Sequence, residues 1–308
     1  MPNLALLVDH EARAGITLSE MDEPKPASDE VVVGVAHAAA NFAELRFAPV
    51  LPHGMTLGYD AAGVVVQTAD DGSGPPVGAR VVAFGAGAWA QRAAFKTDSI
   101  AVVPDTVGLA DAAAVPMVGL TALRTLRSSG SLLDCKVLIT GASGGVGRAA
   151  IQLASLGGAV VTAVSGSPER ADRLRELGAA RVVESLDDVT EPQDVVLENV
   201  GGPTLLAAWK LLGPGGVLHS IGWAGGEPAE LPVNAFFVLG RARSLRSFGD
   251  MESPGADLAY LMGLVEAGGL LPEIGWKGPW TDIDSAAAAL AARQVPGKIV
   301  IDVPEALA

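Results

Sequence analysis

Between Lys136 and Ala154 the chain reads KVLITGASGGVGRAAIQLA. A short apolar run ends in a turn crowded by Gly141, Gly144, Gly145 and Gly147, then passes into an alanine-rich segment with helical spacing. The same alternation continues. AVVTAVSG reads as a strand and PERADRLRELG as a helix with a glycine stop. RVVES and DVVLENVG read as strands, PTLLAAWKLLG as a helix, and GGVLHSIG and SLRSFGD as later strands. Strands that alternate with helices have few solutions. They predict a parallel, doubly wound sheet with helices on both faces.

The chain before that point has another texture. EVVVGVAHA, AAGVVVQTA, ARVVAFG, WAQRAAFKT and IAVVPD are short, valine-rich and separated by breakers such as DDGSGPP. They predict a compact β-rich unit. From Leu109, LADAAAVPMVGLTALRTLRSSG carries helical spacing interrupted at Pro116. Towards the end, GADLAYLMGLVEAGG and DSAAAALAARQ read as helices, and GKIVIDV as a strand.

The position of the glycines gives them meaning. Gly141 permits a turn out of a buried strand. Gly144 and Gly145 remove side chains where N–H groups approach a ligand, with Val146 beside them, and Gly147 allows close packing of helix on strand. The helix start offers unpaired N–H groups and a positive dipole end, which suits a phosphate. The competing reading is a tight turn that holds nothing. The end of the next strand bears on which ligand this is. Sites for NAD place an acid there for the ribose hydroxyls. This chain has VSGSPER, so Ser165, Ser167 and Arg170 stand where they can bind a 2′-phosphate. Ser167 also fits as a cap for the helix that starts at Pro168, with Arg170 solvated. The expected cofactor is NADP(H).

Lysines and arginines number 21 against 35 acids, a formal charge of −14, so a nucleic-acid partner is not expected. A single cysteine, Cys135, rules out an intrachain disulfide and a cysteine-based zinc cluster. No apolar run reaches the ~18 residues of a membrane span, and the first residues lack a signal-peptide pattern. The expectation is a soluble cytoplasmic protein with no membrane partner.

In order along the chain, LGYDAAGVV, AAAVPMVGLTAL, LITGASGGVGRAAIQLA, VVLENVGG and GKIVIDV resemble the medium-chain dehydrogenase/reductase superfamily, in its zinc-free quinone oxidoreductase (zeta-crystallin-like) branch. The resemblance covers nearly the whole chain. It implies an α/β fold in which a Rossmann doubly wound parallel sheet, residues 114–252, is inserted into a GroES-like β-rich catalytic domain, residues 1–113 plus 253–308. It places the active site in the cleft between them, and it implies a homodimer.

The resemblance also bears on individual residues. Where zinc relatives carry GHE this chain has GYD, so Tyr59 stands in place of a ligand histidine. The ligand cysteine is missing from AAANFAEL, and His10, His37, His53 and His219 lack metal-ligand spacing; no metal is expected. Asn41 matches a family asparagine whose amide binds either a substrate carbonyl or the cofactor ribose. Tyr59 is a candidate proton donor, with a packing role as its other reading. Glu44 and Asp60 depart from the family's acids and read as structural. Thr121, Asn199, Val200, Gly222, Trp223, Phe248 and Gly249 take family positions along the cofactor. Arg293 and Lys298 read as adenosine-phosphate partners or as solvated charges. Phe42, Phe47, Trp89 and Phe237 are candidates for an apolar substrate pocket, or for ordinary packing.

Without a metal, hydride still moves to an already electrophilic carbon, because conjugation spreads the developing charge. The expected activity is NADPH-dependent reduction of a small quinone or α,β-unsaturated carbonyl. Two alternatives stay open: a pathway-specific enoyl reductase of secondary metabolism, and a non-catalytic NADPH-binding sensor or interaction protein.

Overall fold

The computed structural model describes residues 3–237 and 240–304. In chain order the elements are β1 (Asn3–Val8), β2 (Ile16–Met21), β3 (Glu30–Ala40), α1 (Phe42–Phe47), β4 (Asp60–Gln67), β5 (Arg80–Phe84), β6 (Arg92–Lys96) and β7 (Ile100–Val102). They continue with α2 (Leu109–Ala113), α3 (Pro116–Ser128), β8 (Lys136–Ile139), α4 (Gly145–Leu156), β9 (Val160–Val164), α5 (Ala171–Glu176) and β10 (Arg181–Val183). Then come β11 (Gln193–Glu198), α6 (Gly202–Lys210), β12 (Leu212–Ser220), β13 (Ser244–Ser247), α7 (Gly255–Glu266), β14 (Ile274–Pro279), α8 (Ile283–Ala291) and β15 (Lys298–Asp302). The chain forms two compact units, residues 1–120 with 251–308 and residues 121–250.

The second unit is the doubly wound one. Its six strands run in the order β10–β9–β8–β11–β12–β13, all parallel. Parallel neighbours need crossovers, and α4, α5 and α6 supply them. Covered on both faces, the central strands are apolar throughout: Val137, Leu138, Ile139, Val196 and Leu197 are buried. The strand order reverses between β8 and β11. In open sheets of this kind, ligands bind in the crevice at the carboxyl ends flanking that reversal.

The first unit carries a sheet ordered β14–β15–β3–β4–β5–β7, with β6 pairing β3. Its pairs are antiparallel except β14 with β15. β1 and β2 form a separate antiparallel pair. The unit's largest core runs from Leu6 and Val33 through Trp89 and Phe95 to Trp280 and Ile301. Trp89 is fully buried, donates its indole N–H to the Ala39 carbonyl at 3.2 Å, and lies against Gly58. A Cβ at Gly58 would fall 2.0 Å from that ring, so only glycine fits there.

Pro116 begins α3 rather than kinking it, and α2 ends just before it. PERADRLRELG splits into a 3₁₀ turn at Pro168–Arg170 and the short α5. Pairing also makes strands of NLALLV, ITLSEM and IGWKGP, segments that carry weak local signals.

Candidate active site

The glycine-rich turn leaves β8 and enters α4. Gly141 takes φ +58° and its carbonyl accepts the Gly144 N–H at 3.0 Å. Gly144 caps α4 with extended backbone. A Cβ on Gly147 would fall 2.5 Å from the Ala142 Cα, which forces glycine where the first helical turn crosses the strand exit. Gly144, Gly145 and Val146 remain partly exposed at the helix start; the Gly144 N–H is given to Gly141, and those of Gly145 and Val146 lack helical partners. Ser143 is held from the helix side by Arg148, a buried residue whose Nε donates to the Ser143 carbonyl at 3.0 Å.

Across the strand reversal, the end of β11 is set by Glu198. Its carboxylate is fully buried and accepts from the Thr140 hydroxyl and the Val200 N–H on one oxygen and from the Gly201 N–H on the other, each at 2.9 Å. Burial raises its pKa, and these three donors oppose the rise. Asn199 donates its backbone N–H to the Thr140 hydroxyl and its side-chain N–H to the Thr140 carbonyl. The turns after β8 and β11 are thus tied together. Gly222 follows β12 where a Cβ would meet the Asn199 carbonyl at 2.9 Å. The half-exposed indole of Trp223 lies on Gly201. Phe248 and Gly249 follow β13, Phe248 partly buried and Gly249 exposed. Thr121 is buried inside α3, its carbonyl accepting from the Thr125 hydroxyl.

At the end of β9 no acid is present. Ser165 is buried, and its hydroxyl accepts the Ser167 N–H at 3.4 Å. Ser167 and Arg170 are partly exposed, and Arg170 donates to the Ser143 hydroxyl at 3.3 Å. The open step between Ser165 and Ser167 is Gly166, where a Cβ would meet nothing within 4 Å.

The first unit holds a buried polar cluster. Asn41 and Glu44 close a capping box at the start of α1, the Asn41 N–H donating to Glu44 Oε2 at 2.6 Å. Asn41 Nδ2 donates to Glu44 Oε2 and Asp60 Oδ2, both at 3.1 Å. Lys298 Nζ donates to Asn41 Oδ1 at 2.6 Å and to Asp60 Oδ2 at 2.8 Å, and the Met117 N–H to Asp60 Oδ1. Turning the Asn41 amide over would face donor to donor and oxygen to carboxylate, so the network fixes its orientation. Glu44 is pushed up to about 8, first by burial and then by the Asp60 charge, against the pull of Lys298 and Asn41. Its Oε1 is buried with no hydrogen-bond partner.

This cluster revises several sequence expectations. Lys298 is only 3% exposed and is neither a phosphate partner nor a solvated charge. Both side-chain N–H groups of Asn41 are spent within the protein, which opposes its reading as a donor to a substrate carbonyl. Tyr59, next to Asp60, is 36% exposed and stacks on Phe84 at 5.7 Å. Trp89 is a core residue, so it does not line a pocket. Phe42 and Phe47 sit at opposite ends of α1, about 140° apart around the helix, and Phe47 is 53% exposed. Phe237 is 77% exposed and belongs to the other unit.

All four histidines have structural partners. His10 bonds the Leu51 carbonyl and packs edge-on to His53, which faces Asp9. His37 pairs with Asp302, and buried His219 meets the Ser129 hydroxyl at 2.9 Å, its pKa lowered to about 4 by burial. Among the described residues no group of three or more His, Cys, Asp or Glu is placed to hold a metal ion. Where the resemblance aligns a zinc-ligand histidine stands the Tyr59 phenol, and the segment aligned with the ligand cysteine holds none, its Asn41 being bonded to the Lys298 ammonium; this donor set does not fit zinc. No helix among the described residues is long and apolar enough to cross a membrane.

Comparison with known proteins supplies independent findings. The family described as "Alcohol dehydrogenase GroES-like domain" matches residues 27–117, and that described as "Zinc-binding dehydrogenase" matches residues 145–264. A phenolphthiocerol/phthiocerol polyketide synthase of Mycobacterium tuberculosis is 30% identical over 234 residues, 70% of this chain and 11% of that protein. The chain therefore spans about a tenth of that relative's length. The acryloyl-coenzyme A reductase of Sulfurisphaera tokodaii is 25% identical over 331 residues, 94% of this chain and 97% of that protein. The quinone oxidoreductase of Coxiella burnetii shares the fold, with a TM-score of 0.84 and 24% identity over 99% of this chain and 100% of that one.

Proposed function

The chain belongs to the medium-chain dehydrogenase/reductase superfamily, and from that premise we propose that it is an NADPH-dependent, metal-independent reductase of conjugated carbonyl compounds. The observation that carries the reading is the donor set of the first unit, where Asn41 is bonded to Lys298 and Tyr59 takes a ligand position. Such a donor set argues against polarising a simple ketone through zinc and in favour of a substrate that accepts hydride by conjugation. When bound, the nicotinamide supplies that hydride.

The chain's own residues do the rest. Gly144, Gly145, Val146 and Gly147 cradle the pyrophosphate at the start of α4. Asn199, Val200, Gly222 and Trp223, held by Glu198 and Thr140, frame the nicotinamide ribose. Phe248 and Gly249 face the carboxamide, and Thr121 supports this end from within α3. Ser167 and Arg170, partly exposed after buried Ser165, make the end of β9 welcoming to a 2′-phosphate, because no acid stands at residues 165–167 to repel it. Asn41 is held in one orientation as a positioning residue, and Tyr59 delivers the proton that follows hydride. Phe42 and Phe47 offer apolar contact to the substrate.

Enoyl thioesters are the favoured substrates over quinones, because a relative matched over nearly its whole length reduces acryloyl-coenzyme A by name and polyketide synthases match as well. We place the enzyme in the cytoplasm as a homodimer. Tyr59→Phe tests the site: with general acid catalysis by the phenol, kcat should fall on the order of 100-fold while NADPH affinity holds. An unchanged kcat would move proton delivery to water.

A further inference from the structure

We propose that Ser143, in the glycine-rich turn, determines cofactor selectivity by binding the 2′-phosphate together with Arg170. This rests on the NADPH reading above and deepens it. The end of β9 is where sequence alone seeks the phosphate partners, yet the geometry turns one of them away. Ser165 is buried and its hydroxyl accepts the Ser167 N–H. The hydroxyl beside the Arg170 guanidinium belongs instead to Ser143, 27 positions earlier, at 3.3 Å.

Ser143 is partly exposed and well anchored. Its carbonyl accepts from Arg148, a buried residue of α4, so the backbone is fixed while the hydroxyl faces Arg170. A hydroxyl has one donor and two acceptor positions. Accepting from Arg170 leaves its hydrogen available to a phosphate oxygen. The guanidinium supplies charge and the hydroxyl a second, neutral bond. The strand exit is open at Gly166, where a Cβ would meet nothing within 4 Å. Ser143 also lies in the turn that grips the pyrophosphate, so one segment reads both phosphate positions.

Calorimetric titration of the full chain with 2′,5′-ADP and with 5′-AMP isolates the 2′-phosphate without turnover. The unaltered protein should bind 2′,5′-ADP about tenfold more tightly or better. Ser143→Ala should weaken 2′,5′-ADP about 3- to 10-fold and leave 5′-AMP unchanged. Ser143→Thr, which keeps the hydroxyl, should retain the preference. Arg170→Ala should cost more, and adding Ser143→Ala to it little further, because the pair acts as a unit. Equal weakening of both nucleotides by Ser143→Ala would mean a distorted turn and overturn the inference, as would no weakening. Equal binding of both nucleotides by the unaltered protein would overturn the NADPH reading and this inference with it. A preference for 2′,5′-ADP that Ser143→Ala leaves intact would remove Ser143 alone.

Discussion

Glu44, Asp60 and Lys298 place two carboxyl groups and one amine in a buried space. If all three ionise, one negative charge is left without a partner, and burial lets Glu44 resolve this by keeping its proton up to about pH 8. The consequence for stability has a definite sign. A carboxyl whose folded pKa is raised contributes stability that is fully present below its unfolded value, near 4.5, and that fades as pH rises towards about 8. Thermal unfolding from pH 5 to 9 should therefore show Glu44→Gln gaining on the unaltered protein as pH rises. Parallel curves would show that Glu44 is ionised throughout. His219 acts at the other end. Its pKa is lowered to about 4, so its contribution is present above its unfolded value, near 6.5, and lost as pH falls towards 4. The sequence reads Glu44 and Asp60 as structural, as found, but their partner Lys298 was not legible there. A lysine near the chain end reads as solvated, and its partners lie 257 and 238 positions away. Arg148 and Glu198 were hidden likewise, because a buried charge announces itself only through partners that folding assembles.

Among the elements, the β8–turn–α4 unit was the most legible, since the glycine spacing and the strand and helix patterns all point to one geometry. Gly147 shows why. With a Cβ 2.5 Å from the Ala142 backbone, Gly147→Ala must push α4 off the strand exit. It should destabilise the fold by about 1–3 kcal/mol in denaturant titration, as overpacked cores do, and weaken nucleotide binding with it. A variant as stable and as tight as the unaltered protein would mean that the helix does not depend on that close approach. The strands β1, β2 and β14 were the least legible. NLALLV lacks alternation, ITLSEM carries a polar half, and IGWKGP contains two glycines and a proline. β1 and β2 take their order from pairing with each other, and β14 from β15 beside it. The aromatic candidates divided for the same reason: Trp89 lies in the core because Gly58 lets it in, which no spacing reveals.

At the scale of the whole molecule, the alternation of strand and helix was enough to give the α/β class and the doubly wound sheet, because parallel strands demand crossovers. Assembly needs other arguments. β13 is one of the two outer strands of the six-stranded sheet, with exposed Leu245 on it and exposed Val233, Phe236 and Phe237 before it. An open strand edge flanked by apolar side chains is usually paired or covered. Light scattering should give twice the chain mass, and Leu245→Lys should shift it towards the monomer. A monomer at all concentrations would remove the dimer. The central claim is metal-independent hydride transfer from NADPH to a conjugated carbonyl. Its most direct test follows NADPH consumption by chelator-treated protein against enoyl thioesters, enones, quinones and simple ketones, with NADH alongside. The expected result is turnover of conjugated acceptors, preferring NADPH and indifferent to added zinc. Turnover that requires zinc, or that favours simple ketones, would contradict it.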